Sequence, residues 1–461
     1  MVTEGRVGPK ERGDYIVNDL LIEGARLWTG GPLQNIRIDG SHIVSVIPQS
    51  EDQALKLSCG PARRTLRLDG RLVFPGFVNI HAHLDKAMMA DRFRNESGTI
   101  DEVRRNMKKA KSSFTYDDVR ERASRALQRC VEHGVTAVRT HVDIDPTVGL
   151  TSLRALLSLK EDFQKSIDLQ IVAFPQEGIQ EYPGTRDLLK AALELGADVI
   201  GGHPSISASR KELNEQVDIV FELAKEFDVD IDFHTDFGIN ANYTHPVTLH
   251  ADGREYPDNL GAVYIAEKTI AEEYQGRVTA SHLCGLDMVP PELRANVCDL
   301  LREAGVSVVS TPASNMYGNG RDDAVGARRG VTRLSELRAA GVNVAVGTDN
   351  IRDPFDPYGN TDLIQNAILA SLACHMVTEH DFLEMLSLHT VAPAQIMGLT
   401  KYGLASGDEA SLVVLEARSL TDLLDGDTAR RVVLKRGLSV GAAPLKSLYD
   451  DNEGVTTGVA K

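Results

Sequence analysis

Five residues, His81, His83, His234, His282 and Asp349, share a position that favours chemistry: each follows or closes a short apolar run. His81 and His83 are two apart, so on an extended chain their side chains point to the same side and can share one ion. A single histidine at such a place is more often a hydrogen-bonded structural residue than a ligand. A pair at i and i+2 is uncommon without a metal, and recurrence at several strand ends is harder still to produce by packing. Imidazole nitrogens with one carboxylate suit a borderline divalent ion such as zinc, cobalt, manganese or iron. His141 closes another run, as a ligand or as a residue behind the ligands, while His203 and Asn315 lie at further strand ends as candidates for lining a pocket. His42, His133, His375, His380 and His389 fall in turns or helical segments and are set aside.

The elements that position these residues follow from the patterning. Strand-like runs occur at Phe77 to His81, Val135 to His141, Leu169 to Phe174, Asp198 to Gly201, Val229 to His234, Val278 to His282, Val306 to Ser310 and Val342 to Gly347, separated by segments of helical period. Alternating strands and helices in that number predict an α/β fold, a closed (β/α)8 TIM-type barrel, with a doubly wound open sheet as the alternative. Reactive groups in such a barrel gather at the C-terminal ends of the strands, where the histidines fall. From Tyr15 to Leu72, and again beyond Leu404, the chain reads as short strands and turns. The two ends are therefore expected to form one small β-sandwich domain, 1–73 with 400–461, beside a barrel domain of 74–399.

Bulk composition narrows the partners. In 461 residues there are 50 Lys and Arg against 66 Asp and Glu, a net charge of −16, which argues against nucleic acid and anionic membranes and favours a small neutral or weakly polar substrate. Cys59, Cys130, Cys284, Cys298 and Cys374 are scattered without CxxC pairing and read as reduced thiols. The opening MVTEGRVGPKERGDY lacks an apolar core and no run approaches the ~20 residues that span a bilayer, so a soluble, cytoplasmic protein is expected.

The succession PGFVNIHAHLDK, RTHVDID, IVAFPQEGI, HTDF, TASH and GTDN resembles the amidohydrolase superfamily, and within it the cytosine deaminase branch. The resemblance implies that His81, His83, His234 and Asp349 hold one divalent metal. It implies that His282 polarises a substrate carbonyl or handles protons, that Asp349 also serves in catalysis, and that Gln176 binds substrate. It further implies a homo-oligomer. Two departures matter. GADVIGGHP carries no lysine where other amidohydrolases bridge two metals, which implies a single ion. The deaminases have a glutamate three residues after the fifth-strand histidine, where this chain has Phe237, and Phe237 cannot protonate a ring nitrogen. Asp236 could substitute only if its carboxylate faced the pocket. With that glutamate gone, the chain is similar to the phenylurea hydrolase and molinate (thiocarbamate) hydrolase group. The expected reaction is then attack of metal-activated water on the carbonyl of an N-substituted urea, carbamate, thiocarbamate or amide, with an apolar substituent against Phe237. Ring deamination with Asp236 in the glutamate's place is the alternative. A catalytically dead binding subunit would show broken ligands, and all four are intact.

Overall fold

The computed structural model describes residues 19–51, 62–238, 246–321, 323–425 and 431–441. Eight strands, Phe77–Ala82, Val135–Asp143, Asp168–Phe174, Val199–Gly202, Asp230–Thr235, Val278–His282, Ser307–Ser310 and Val344–Val346, pair in chain order into one sheet. Every registered pair in it is parallel. The last strand returns to the first through one parallel bridge, Ala82 to Asp349, with the Asp349 amide donating to the His81 carbonyl at 2.8 Å. This is a TIM-type barrel, and each of its strands falls on one of the runs read from the sequence.

Parallel strands cannot be joined by tight turns, so helices carry the chain back outside the sheet. The helix Arg210–Phe227 shows how the sequence sets one of them. The Ser209 hydroxyl caps its start by accepting from the Glu212 amide, a contact typically worth about 1 kcal/mol. Val217, Val220, Phe221 and Ala224, at spacings of three and four, bury against the strands, and Asp228 ends the helix in the left-handed region at φ 53°. Strands covered on both faces become continuous apolar runs; all nine residues of Val135–Asp143 are buried.

Strands from both ends of the chain share a second sheet. Leu72–Pro75 pairs with Leu20–Leu27 on one side and, antiparallel, with Leu412–Leu415 on the other. Leu20, Ile22, Ile36, Ile43, Leu66, Leu412, Val414 and Leu434 form its own apolar cluster. Cys130, Cys284, Cys298 and Cys374 are free thiols; Cys59, the first residues and the polar C-terminal stretch lie outside the described residues. Among the described residues no helix is long and apolar enough to cross a membrane.

Candidate metal centre and substrate cavity

The first, fifth, sixth and eighth strands deliver their polar ends to one point. His83 Nε2 lies 3.2 Å from His234 Nε2 and 3.2 Å from Asp349 Oδ1, and His81 Nε2 lies 3.5 Å from the same carboxylate oxygen. Asp349 reaches that point because Gly347 lets the eighth strand approach the first: a Cβ there would stand 2.6 Å from the His81 Cβ. Asp349 and His282 both take positive φ, 64° and 76°, a conformation costing non-glycine residues roughly 1–2 kcal/mol and tolerated where surrounding contacts enforce it.

The donor set fits a divalent ion. Ser281 Oγ donates to Asp232 Oδ1 at 3.0 Å, so its lone pair accepts from His81 Nδ1 at 2.9 Å, and His81 Nε2, buried and without a hydrogen-bond partner, is turned toward the cluster. Such a fixed tautomer is how histidine ligands are oriented. Burial and the charge of Lys86 push His83 far below its ordinary pKa; burial and neighbouring imidazoles do the same for His234. Burial pushes the Asp349 carboxyl up, but contacts with His81 and His83 outweigh it and hold it well below the usual carboxylate range. Neutral imidazole and ionised carboxylate are the forms that bind a metal. Asp349 divides its oxygens: Oδ1 faces the histidines and Oδ2 accepts from the Ser314 hydroxyl.

Behind the cluster, His141 Nε2 sits 3.3 Å from Asp232 Oδ1, and Asp232 also receives Arg139 at 2.9 Å. A ligand atom of His141 lies within 4.8 Å of those of His81, His83 and His234, so this histidine joins the cluster while leaning on Asp232. His83, Asp85 and Asp143 make a further group, but Lys86 and Lys111 already neutralise it, at 2.5 and 2.7 Å from Asp143. No lysine stands at the end of the fourth strand: a Cβ on Gly202 would stand 2.6 Å from the Phe233 ring, and the next residue is His203.

A cavity of about 60 Å³ opens beside the cluster, lined by His83, His234, His282 and Asp349 with Gln176, His203 and Phe237. Gln176 Oε1 accepts from Lys86 Nζ at 3.0 Å, which pins the amide, and its backbone carbonyl accepts from His203 Nδ1 at 2.9 Å. Burial lowers His203 to about 3 and His282 to about 4, so both are neutral near pH 7. His282 Nδ1 lies 3.0 Å from Asn315 Oδ1, an acceptor, which places the proton on Nδ1 and leaves Nε2 as a base. The Phe237 ring meets His282 edge-on at 5.1 Å, and a Cβ on Gly318 would come within 2.8 Å of it.

Two candidates stand elsewhere. Asn315 backs His282 and does not line the cavity. Asp236, at φ 52°, turns its carboxylate away: its oxygens accept from the amides of Gly261 and Ala262 at 2.8 and 3.0 Å, anchoring the start of the helix Gly261–Ala271. Adjacent residues at a strand end diverge, and once Phe237 enters the cavity, Asp236 does not. His42, His133, His375, His380 and His389 are not in the cluster. Sequence reading missed Ile100, Arg104, Ser314, Asn350 and Phe355, which complete the lining. None of them ends a strand, so the signal used for the histidines passes over them.

The profile of the Amidohydrolase family matches residues 64–440, and the chain belongs to that family. It is a metal-dependent amidohydrolase. The chain is 29% identical over 432 residues to the N-isopropylammelide isopropyl amidohydrolase of Pseudomonas sp. (strain ADP), covering 91% of this chain and 96% of that one. It is 31% identical over 373 residues to a pterin deaminase of Rhizobium rhizogenes, covering 79% and 80%. The crystal structure of 5-methylcytosine deaminase from Klebsiella pneumoniae liganded with 5-fluorocytosine superposes with a TM-score of 0.81 at 31% identity, covering 91% of this chain and 97% of that one.

Proposed function

We propose that this enzyme hydrolyses the bond between a ring carbon of a nitrogen heterocycle and an exocyclic amino or alkylamino nitrogen, releasing ammonia or an amine. The carrying observation is the convergence of His81, His83 and His234 Nε2 with Asp349 Oδ1 beside a cavity lined by Gln176, His203, His282 and Phe237. The relatives support the ring: an ammelide, a pterin and a methylcytosine are all heterocycles with exocyclic nitrogen. His81, His83, His234 and Asp349 would hold one divalent ion, zinc, cobalt, manganese or iron; a bound ion supplies hydroxide at neutral pH by lowering the pKa of water from 15.7 to roughly 7. The missing side chain at Gly202 supports a single ion. Asp349, ionised, accepts the proton of the attacking water. With Oε1 committed to Lys86, the Gln176 amide has only N–H to offer and donates to a ring carbonyl or ring nitrogen. His282, neutral with Nε2 basic, takes up a proton and delivers it to the departing nitrogen, the exchange typical of general acid–base catalysis. His203 and Phe237 confine the ring.

A second reading, hydrolysis of an N-substituted urea, carbamate, thiocarbamate or amide, is favoured by Phe237 occupying the cavity and Asp236 facing away, which leaves no carboxylate three residues beyond His234 to protonate a ring nitrogen. We infer too that the sheet of both chain ends is the small β-sandwich of 1–73 and 400–461 beside a barrel domain of 74–399; its separate apolar cluster supports this. Assaying the metal-loaded enzyme on N-isopropylammelide, pterin, cytosine, N-phenylurea and a thiocarbamate tests the choice. Amine or ammonia release from a heterocycle is expected. Turnover confined to the urea or thiocarbamate would transfer the conclusion to the second reading, and undiminished activity in metal-free protein would sink both.

A further inference from the structure

The helix Ile100–Lys111 contributes Ile100 and Arg104 to the cavity lining. Its buried face, Val103, Met107 and Ala110, packs with Met89, Phe93, Phe114 and Phe355. Arg104, Lys108 and Lys111 stand at i, i+4 and i+7 and so share another face. Two of these cations have partners built into the fold. Lys111 Nζ lies 2.7, 3.0 and 2.9 Å from carboxylate oxygens of Asp143, Asp145 and Glu177. Lys108 Nζ sits 5.1 Å above the Tyr182 ring. Arg104 is different: it lines the substrate cavity at its exposed end, and among the described residues no carboxylate pairs with it. The nearby Glu102 is spent on the chain before the helix, accepting from the Ser97 and Glu96 amides at 2.6 and 3.1 Å.

In a chain of net charge −16, a lone guanidinium facing a cavity is a local reversal of sign. Ile100 and Phe355 stand with it in the lining. Its planar fork matches a carboxylate through two parallel hydrogen bonds. His83, His234 and Asp349 of the metal-ligand cluster are buried in the lining of the same cavity. We propose that Arg104 is a specificity determinant, binding a carboxylate on the edge of the heterocycle that faces the cavity mouth while the opposite edge presents its exocyclic nitrogen to the metal-ligand cluster. Charge and composition alone pointed to a neutral substrate; Arg104 makes it an anionic one. The inference rests on the heterocycle reading of the same site.

The test compares cytosine with 6-carboxycytosine, whose carboxylate lies on the ring edge away from the amino group, on metal-loaded wild type, Arg104→Gln and Arg104→Lys, by equilibrium dialysis and by ammonia release. Wild type is expected to bind the carboxylated ring roughly 10- to 100-fold more tightly than the parent, the range of a hydrogen-bonded charged pair. Arg104→Gln should abolish that ratio, and Arg104→Lys should restore only part of it, lacking the planar fork. Equal binding of the two rings by wild type, or a ratio surviving in Arg104→Gln, overturns the assignment. Ammonia release from cytosine with no carboxylate preference overturns the role of Arg104 and leaves the reaction standing. Preferential binding of the carboxylated ring without turnover of either does the reverse, and failure to bind either ring overturns both.

Discussion

Replacing Ser281 with alanine isolates how the candidate metal centre is oriented. Ser281 is fully buried and stands between two groups, accepting from His81 Nδ1 at 2.9 Å and donating to Asp232 Oδ1 at 3.0 Å. Without the hydroxyl, Asp232 still holds Arg139 at 2.9 Å and His141 at 3.3 Å, so its charge stays compensated. His81 has no such reserve. Its Nδ1–H becomes a buried donor without an acceptor, a cost of about 1–3 kcal/mol. Loss of a partner behind a metal ligand typically weakens metal binding by about 10- to 100-fold, which at 1.36 kcal/mol per decade is roughly 1.4–2.7 kcal/mol. The two routes give the same size of effect. Competition with a chromogenic chelator should show that weakening for Ser281→Ala, with activity recovered at excess metal and an unchanged circular dichroism spectrum. Metal affinity within twofold of wild type in a folded variant would refute the reasoning, because His81 would then not be a ligand held through Ser281.

Asp236→Ala removes the acceptor of the Gly261 and Ala262 amides; a loss of about 1–2 kcal/mol in urea unfolding is expected, with kcat kept within a few-fold. A hundredfold fall in kcat at unchanged stability would instead place that carboxylate in the chemistry. His389, which donates from Nδ1 to the Met385 carbonyl and accepts from Asn366 at Nε2, is lowered by burial to about 4. The unfolded chain protonates it first, so its stabilisation is complete above about pH 6.5 and is lost as pH falls toward 4, by up to roughly 3 kcal/mol. Urea unfolding of His389→Gln between pH 7 and 4.5 should therefore show a shallower acid loss than wild type, and identical slopes would contradict the assignment. Elemental analysis should find one tightly bound metal per active chain, removable with loss of activity; two would contradict the single-ion site.

The barrel and the cluster of histidines with Asp349 were legible in the sequence for one reason. A strand buried on both faces must be an apolar run, and a polar residue closing it stands out. His81, His234, His282 and Asp349 were found that way, and the motifs around them carried the family. Residues that reach the cavity from helices and long loops carry no such mark. Arg104 is one of several basic residues on one helix, and only the packing of Val103 and Met107 brings it to the cavity. Lys86 sits within HAHLDK, yet that it pins the Gln176 amide depends on contacts across 90 residues. Asp236 could be judged only once the helix Gly261–Ala271 was placed, because its carboxylate serves that helix's amides.

The barrel's seam has one more consequence. Its first and last strands meet through a single bridge, Ala82 to Asp349, while the other neighbouring strands share two or more paired positions. Asp349 belongs to that joint and His81 adjoins it, so an ion bound between them would act as a rivet across the seam. Folding and metal uptake then become one equilibrium. Protein made under metal starvation should exchange its amide hydrogens fastest along this joint, and the supply of metal during synthesis would govern how much of the chain reaches its closed form.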